Sequence, residues 1–129
     1  SSLTNGNIRV QGPDNKLDFS WVTDVADAFA VCATNETTTN EIFNCTRGNG
    51  RTILEAATMI QQRLGGDIEI HPHDSFYPNR DTLNSNKLKE FTGWNPTEDI
   101  DAGIPNYLVW LLEQPFIKTL PRYQEVMDQ

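Results

Sequence analysis

Positive charge, cysteine and long apolar runs are all scarce in this chain of 129 residues. Ten Lys and Arg stand against eighteen Asp and Glu, for a formal charge of −8 and a pI near 4.5. No basic cluster offers the concentrated positive charge that a nucleic-acid backbone requires, so a nucleic-acid partner is excluded. Two cysteines, Cys32 and Cys45, are too few for a disulfide framework, and neither sits at zinc-ligand spacing. A reducing, cytoplasmic setting is the plain reading. The longest apolar run, residues 107–112, is far shorter than the roughly 20 residues a helix needs to cross a bilayer. Asn35-Glu36-Thr37 and Asn44-Cys45-Thr46 fit the N-glycosylation pattern, but tripeptides this short recur by chance.

What is present suffices for one domain or part of one. Hydrophobic residues make up 37% and charged residues 22%, which argues against disorder throughout. The chain opens on Ser1-Ser2 and runs straight into a strand-like stretch, as a piece of something longer would.

The pattern alternates between the two periods. Residues 8–11 read as a strand closed by the turn formers Gly12-Pro13-Asp14-Asn15, and residues 18–22 as a second extended run. Val22, Val25, Ala26, Phe29, Ala30 and Ala33 then recur at the spacing of one helix face, with Asp24 placed to cap it. Residues 41–46 alternate as a strand. Thr52-Ile53-Leu54-Glu55 has capping-box form, Ile53, Ala57, Ile60 and Leu64 line one face, and Gly65-Gly66 supplies a left-handed stop. Residues 67–71 predict a strand and 72–80 an irregular loop. A short helix over 85–91 should turn Leu88 and Phe91 inward and end at Gly93. A last helix over 97–113 should bury Ile100, Ile104, Leu108 and Leu111, with Pro105 either kinking it or delaying its regular part to about Ile104. Residues beyond 114 read as a peripheral tail. The order βαβαβαα is a mixed α/β class, in which ligands often meet strand ends and helix N-termini.

Catalytic motifs are missing from this frame. Tyr77, Tyr107 and Tyr123 are followed four residues on by Asp81, Leu111 and Met127, so no Tyr-x-x-x-Lys pair occurs. Gly48-Asn49-Gly50 stands between a strand and a helix, but Ile53 occupies the place of a dinucleotide fingerprint's third glycine, and a tight turn is the simpler reading. No nucleophile elbow or Ser/His/Asp order appears. His71-Pro72-His73-Asp74 could offer two imidazoles to a metal, yet no further ligand is identifiable and solvated loop residues account for it. Arg80 stands ahead of a helix in a chain short of cations. Its forked donors suit a phosphate or carboxylate, and a surface pair with Asp81 or Asp74 is the alternative. Trp94 and Trp110 read as packing residues.

A resemblance adds to this reading. Residues 17–28, Leu-Asp-Phe-Ser-Trp-Val-Thr-Asp-Val-Ala-Asp-Ala, are similar to the Arg-Asp-Phe-x-Tyr-Val-x-Asp-Val-Ala stretch of the NAD-dependent epimerase/dehydratase family, the extended short-chain dehydrogenases acting on nucleotide sugars. In that family's order follow Ile8-Arg9-Val10-Gln11-Gly12, then Glu41-Ile42-Phe43-Asn44 with Gly48 and Gly50. Tyr77-Pro78-Asn79-Arg80-Asp81-Thr82-Leu83 with Lys87, and Gly93-Trp94-Asn95-Pro96 with Gly103 and Trp110, resemble its ending. Each motif is weak alone; the ordered set over about residues 8–113 is more specific.

The resemblance implies a C-terminal, substrate-binding region over residues 1–114, followed by a tail over 115–129, without the main Rossmann half. That absent half would carry NAD and the catalytic residues, so none is assigned to this chain, nor any cofactor or metal ligand. The implied ligand is a nucleotide-diphosphate sugar. Arg80 matches the arginine that contacts the diphosphate, Gln11 and Arg9 match strand positions near the base, and Phe19 and Ile53 match pocket positions. Leu17 stands where an arginine often precedes Asp-Phe, which bears on substrate identity. Without its covering half the chain should leave apolar helix faces bare and self-associate. The alternative is a free-standing domain that binds a nucleotide sugar, or regulates through it, without turnover.

Overall fold

The structure is a computed structural model that describes residues 2–72 and 82–129. Two strand pairs set its frame. β1 (Asn7–Gln11) and β4 (Asp67–His71) run parallel, from Asn7 opposite Asp67 to Gln11 opposite His71. Parallel neighbours require a long crossover, and here it holds β2 (Lys16–Asp18), α2 (Val22–Thr34), β3 (Gly50–Thr52) and α3 (Ile53–Leu64). β2 and β3 pair antiparallel, with Lys16 opposite Thr52 and Asp18 opposite Gly50. α1 (Ser2–Asn5) leads into β1, while α4 (Asn86–Thr92), α5 (Ile100–Glu113) and α6 (Tyr123–Met127) follow β4.

The local signals explain the best-formed elements. β1 alternates, with Ile8 and Val10 buried and Asn7 and Arg9 exposed. α3 begins with the expected capping box, the Thr52 hydroxyl accepting from Glu55 N while the Glu55 carboxylate accepts from Thr52 N, and ends at Gly65 with φ 65°. Gly66 then turns the chain beside Gly6, where a Cβ would lie 2.2 Å from the Gly6 carbonyl oxygen. Ala57, Ile53 and Ile60 of α3 pack on Ile8, Val10 and Ile68 of the parallel pair.

Several expectations are corrected. Residues 41–46 are irregular, because no strand among the described residues lies beside them, and alternation forms a strand only where a partner takes its backbone groups. Ile42 is 87% exposed. The second extended run is the shorter β2, ending at Asp18. In α2 the side facing inward carries the small Ala28 with Val31 and Cys32, packed on Leu88 and Trp94. Val22 and Phe29, expected inside, are 70% and 72% exposed. Phe91 is also partly exposed and sets its ring edge against Phe43 at 5.4 Å. Trp94 is buried, whereas Trp110 is half exposed against Tyr107.

α5 starts at Ile100 and runs through Pro105 without a delayed beginning. Asp99 accepts from Ile100 N at 2.7 Å, and the bond Pro105 cannot donate would go to Asp101, on the exposed side of the helix, where water can serve the freed carbonyl. The segment 115–129 is no loose tail: Ile117 and Val126 are buried with Leu3, Leu64 and Leu108. Arg122 bonds through its backbone N–H to Leu3 O and through Nη1 to Ser2 O. Among the described residues no helix is long and apolar enough to cross a membrane.

Candidate ligand-binding site

Two buried or half-buried aspartates from the 17–28 stretch hold the loops of this region together. Asp18 accepts from Arg47 N at 3.1 Å and Gly48 N at 2.8 Å, and from the Ser20 and Thr82 hydroxyls. Burial pushes its carboxyl up, but the Thr46 and Thr82 hydroxyls and the two amides outweigh that and leave it below the ordinary value. Asp24 does not cap α2, whose N-cap is Trp21. Its carboxylate is buried and accepts from Thr97 N, the Thr97 hydroxyl and Glu98 N, while its carbonyl accepts from Trp94 Nε1 at 3.0 Å. Burial again opposes ionisation, and the Glu98 and Thr97 bonds together with the Arg47 charge prevail, so this carboxyl too lies low.

A charged network continues from these anchors. Arg47 Nη1 donates to Glu98 O at 2.7 Å; its Nε lies 3.1 Å from Asp99 Oδ2 but is out of line for a hydrogen bond, so that contact is electrostatic. Arg51 reaches Asp99, Asp101 at 2.6 Å and Glu55, and Asn49 donates to Asp99 at 2.9 Å. Both arginines are thereby neutralised within the chain.

The turn at Gly48-Asn49-Gly50 is not a phosphate cradle. At the start of α3, Ile53 N donates to Asn15 O, Leu54 N to Pro13 O and Glu55 N to Thr52 Oγ1, so the first donors that an anion would use are already taken. The turn that supplies two of these acceptors follows Gln11. Gln11 ends β1 opposite His71, while Ile53, which opens α3, packs against the cluster of Ile8, Val10 and Ala57. Arg9 lies on the exposed side of β1 opposite Glu69. Phe19 belongs elsewhere, lining a cleft of about 380 Å³ with Trp21, Glu98, Gly103 and Tyr107. Arg80, with His73, Asp74, Tyr77 and Asp81, lies outside the described residues. Ahead of α4, Arg47, Gly48, residues 82–86 and Lys89 line a smaller polar hollow of about 300 Å³. Among the described residues no set of three or more His, Cys, Asp or Glu is grouped to hold a metal ion.

Of the residues that organise the site, sequence reasoning read Asp24 as a helix cap and did not single out Asp99 or Glu98. Asp24 had a signal, its place in an ordered motif, but its partners lie more than seventy positions away.

No protein-family model matches the sequence, and no curated protein does. Solved structures do match. A UDP-glucose 4-epimerase from Thermotoga maritima, solved with UDP-glucose, superposes with a TM-score of 0.70 at 25% identity, covering 83% of this chain and 36% of that one. A dTDP-glucose 4,6-dehydratase from Bacillus anthracis, in complex with NAD, gives 0.73 at 22% identity, covering 88% and 36%. A UDP-glucuronic acid 4-epimerase from Bacillus cereus, with UDP-glucuronic acid and NAD, gives 0.69 at 16%, covering 85% and 37%. The chain thus spans little more than a third of the length of the solved proteins it matches, and its mixed α/β fold is that of the C-terminal portion of NAD-dependent nucleotide-sugar epimerases and dehydratases.

Proposed function

We propose that this chain is the substrate-binding portion, over residues 1–114, of a nucleotide-sugar epimerase or dehydratase, and that a Rossmann half bearing NAD and the acid/base residues completes it. The reading is carried by one observation: a fold shared with enzymes of that chemistry, on a sequence whose motifs follow the same order. On this reading Arg80 grips the diphosphate, Gln11 and Arg9 flank the base, and Phe19 and Ile53 shape the pocket. The blocked N-terminus of α3 favours a dinucleotide held by the other half. The bare side chains of Val22, Phe29 and Ile42 are the kind of surface that such a half would cover. Two free thiols, Cys32 and Cys45, suit a cytoplasmic enzyme.

The test is calorimetric titration of the chain with UDP, dTDP and their glucose conjugates. Saturable binding of at least one, weakened about tenfold or more in Arg80→Ala, is expected for a charge-assisted phosphate contact. An affinity unchanged by that substitution overturns the assignment.

A further inference from the structure

We propose that Cys32 and Cys45 are a redox-active dithiol, which closes to an intramolecular disulfide by exchange with a small-molecule disulfide and so staples α2 to the irregular segment 41–46. The two thiols come from different elements and meet at one place. Both are free and half-buried, both pack against the cluster of Ala28, Leu88 and Trp94, and both line one apolar hollow of about 220 Å³ with Phe29 and Phe43. The sequence holds no third cysteine to compete for either. The Cys45 thiol is pushed up, by burial first and then by Cys32 and Asp24, so the two sulfurs lie within electrostatic reach of each other. A raised thiol slows its own attack but does not decide the equilibrium.

The segment that carries Cys45 is what lets the pair close. Among the described residues, 42–46 make no backbone–backbone hydrogen bond; side chains hold the segment instead, among them Asn44 Nδ2 on Asn84 O and Lys87 Nζ on Ile42 O. A stretch without a backbone ladder shifts locally at small cost. Just past Cys45, Arg47 N and Gly48 N donate to Asp18 and Arg47 Nη1 donates to Glu98 O, so the staple fixes the approach to these loop contacts. In the exchange, one cysteine thiolate attacks the external disulfide, breaks its S–S bond, forms a mixed disulfide and expels one small thiolate. The other cysteine thiolate then attacks the cysteine sulfur of that mixed disulfide, the internal S–S bond forms, and the second small thiolate leaves. The two cysteine sulfurs are oxidised, the external disulfide is reduced to two thiols, and the two protons pass to those thiols. The inference stands apart from the nucleotide-sugar reading and can fail or hold without it.

The test equilibrates the full chain with fixed ratios of reduced and oxidised glutathione, folded in buffer and unfolded in urea, then traps free thiols with an alkylating agent and reads the products by intact mass and peptide mapping. In the folded chain the main oxidised product should be a monomer bridged between Cys32 and Cys45 that retains no glutathione, at a bridged-to-open ratio about tenfold or more above that in urea. A ratio closer to the urea value than that, glutathione held on one cysteine without closure, or linkage between chains in place of the internal bridge would overturn the proposal.

Discussion

Thr97 N lies 3.0 Å from both carboxylate oxygens of Asp24, and that contact ties the first turn of α2 to the segment leading into α5. With Thr97 Oγ1 and Glu98 N also donating, the buried carboxylate satisfies three separate donor groups. Asp24→Ala leaves them without an acceptor and should destabilise the chain by about 3 kcal/mol, from the cost of breaking a buried charged hydrogen-bond group. Urea unfolding measures it.

The same carboxylate sets a pH dependence. Its folded-state pKa, like that of Asp18, is lowered from the ordinary 3.8. A depressed pKa stabilises the folded state at pH values above the unfolded value, and the contribution is lost as pH falls through the folded value. Stability should therefore hold down to about pH 4 and fall below it, and the fall should be shallower in Asp24→Asn. A fall equally steep in that variant would assign the acid sensitivity to other groups.

Two glycines with positive φ should respond very differently to alanine. Gly66 has φ 95° and no room, with Gly6 O 2.2 Å from where a Cβ would stand, whereas Gly93 has φ 73° and open space. Gly93→Ala should cost about 1 kcal/mol, the conformational penalty alone. Gly66→Ala should prevent the parallel pair from closing and leave little folded protein, as judged by circular dichroism.

Thr52→Ala removes the hydroxyl half of the capping box at α3 and should cost about 1 kcal/mol. Thermal melts of the two proteins would measure the difference, and no change would mean that Asn15 and Pro13 carbonyls suffice to hold the helix start.

The exposed side chains of α2 predict association. Sedimentation of the chain alone should report oligomers that grow with concentration, and Phe29→Lys, at a position 72% exposed, should reduce them without loss of stability. A stable monomer with well-dispersed amide signals at high concentration would count against it.

Legibility in the sequence followed the range of the interactions. α3 was readable because Thr52, Glu55 and Gly65 carry their reasons within a turn or two, and Trp94 because a large ring beside a left-handed glycine ends a helix in the core. Residues 41–46 misled because alternation alone does not make a strand, and no strand among the described residues pairs with them. α2 misled because its apolar stripe is wide and only the Ala28 side has something to pack against. At the site, Phe19 could be singled out by motif, but the ties of Arg47 to Glu98 O and Asp99 join distant positions, which no local pattern records. Arg80, the most suggestive cation in the sequence, falls outside the described residues.

Arg122 grips the carbonyl of Ser2 while Val126 and Ile117 shelter Leu3, so the opening and closing segments of the chain act as a clasp. Anyone trimming the chain for expression or crystallisation should retain residues through Val126, since cutting at 114 would unfasten the lead-in to β1 and expose Leu64 and Leu108 along with it.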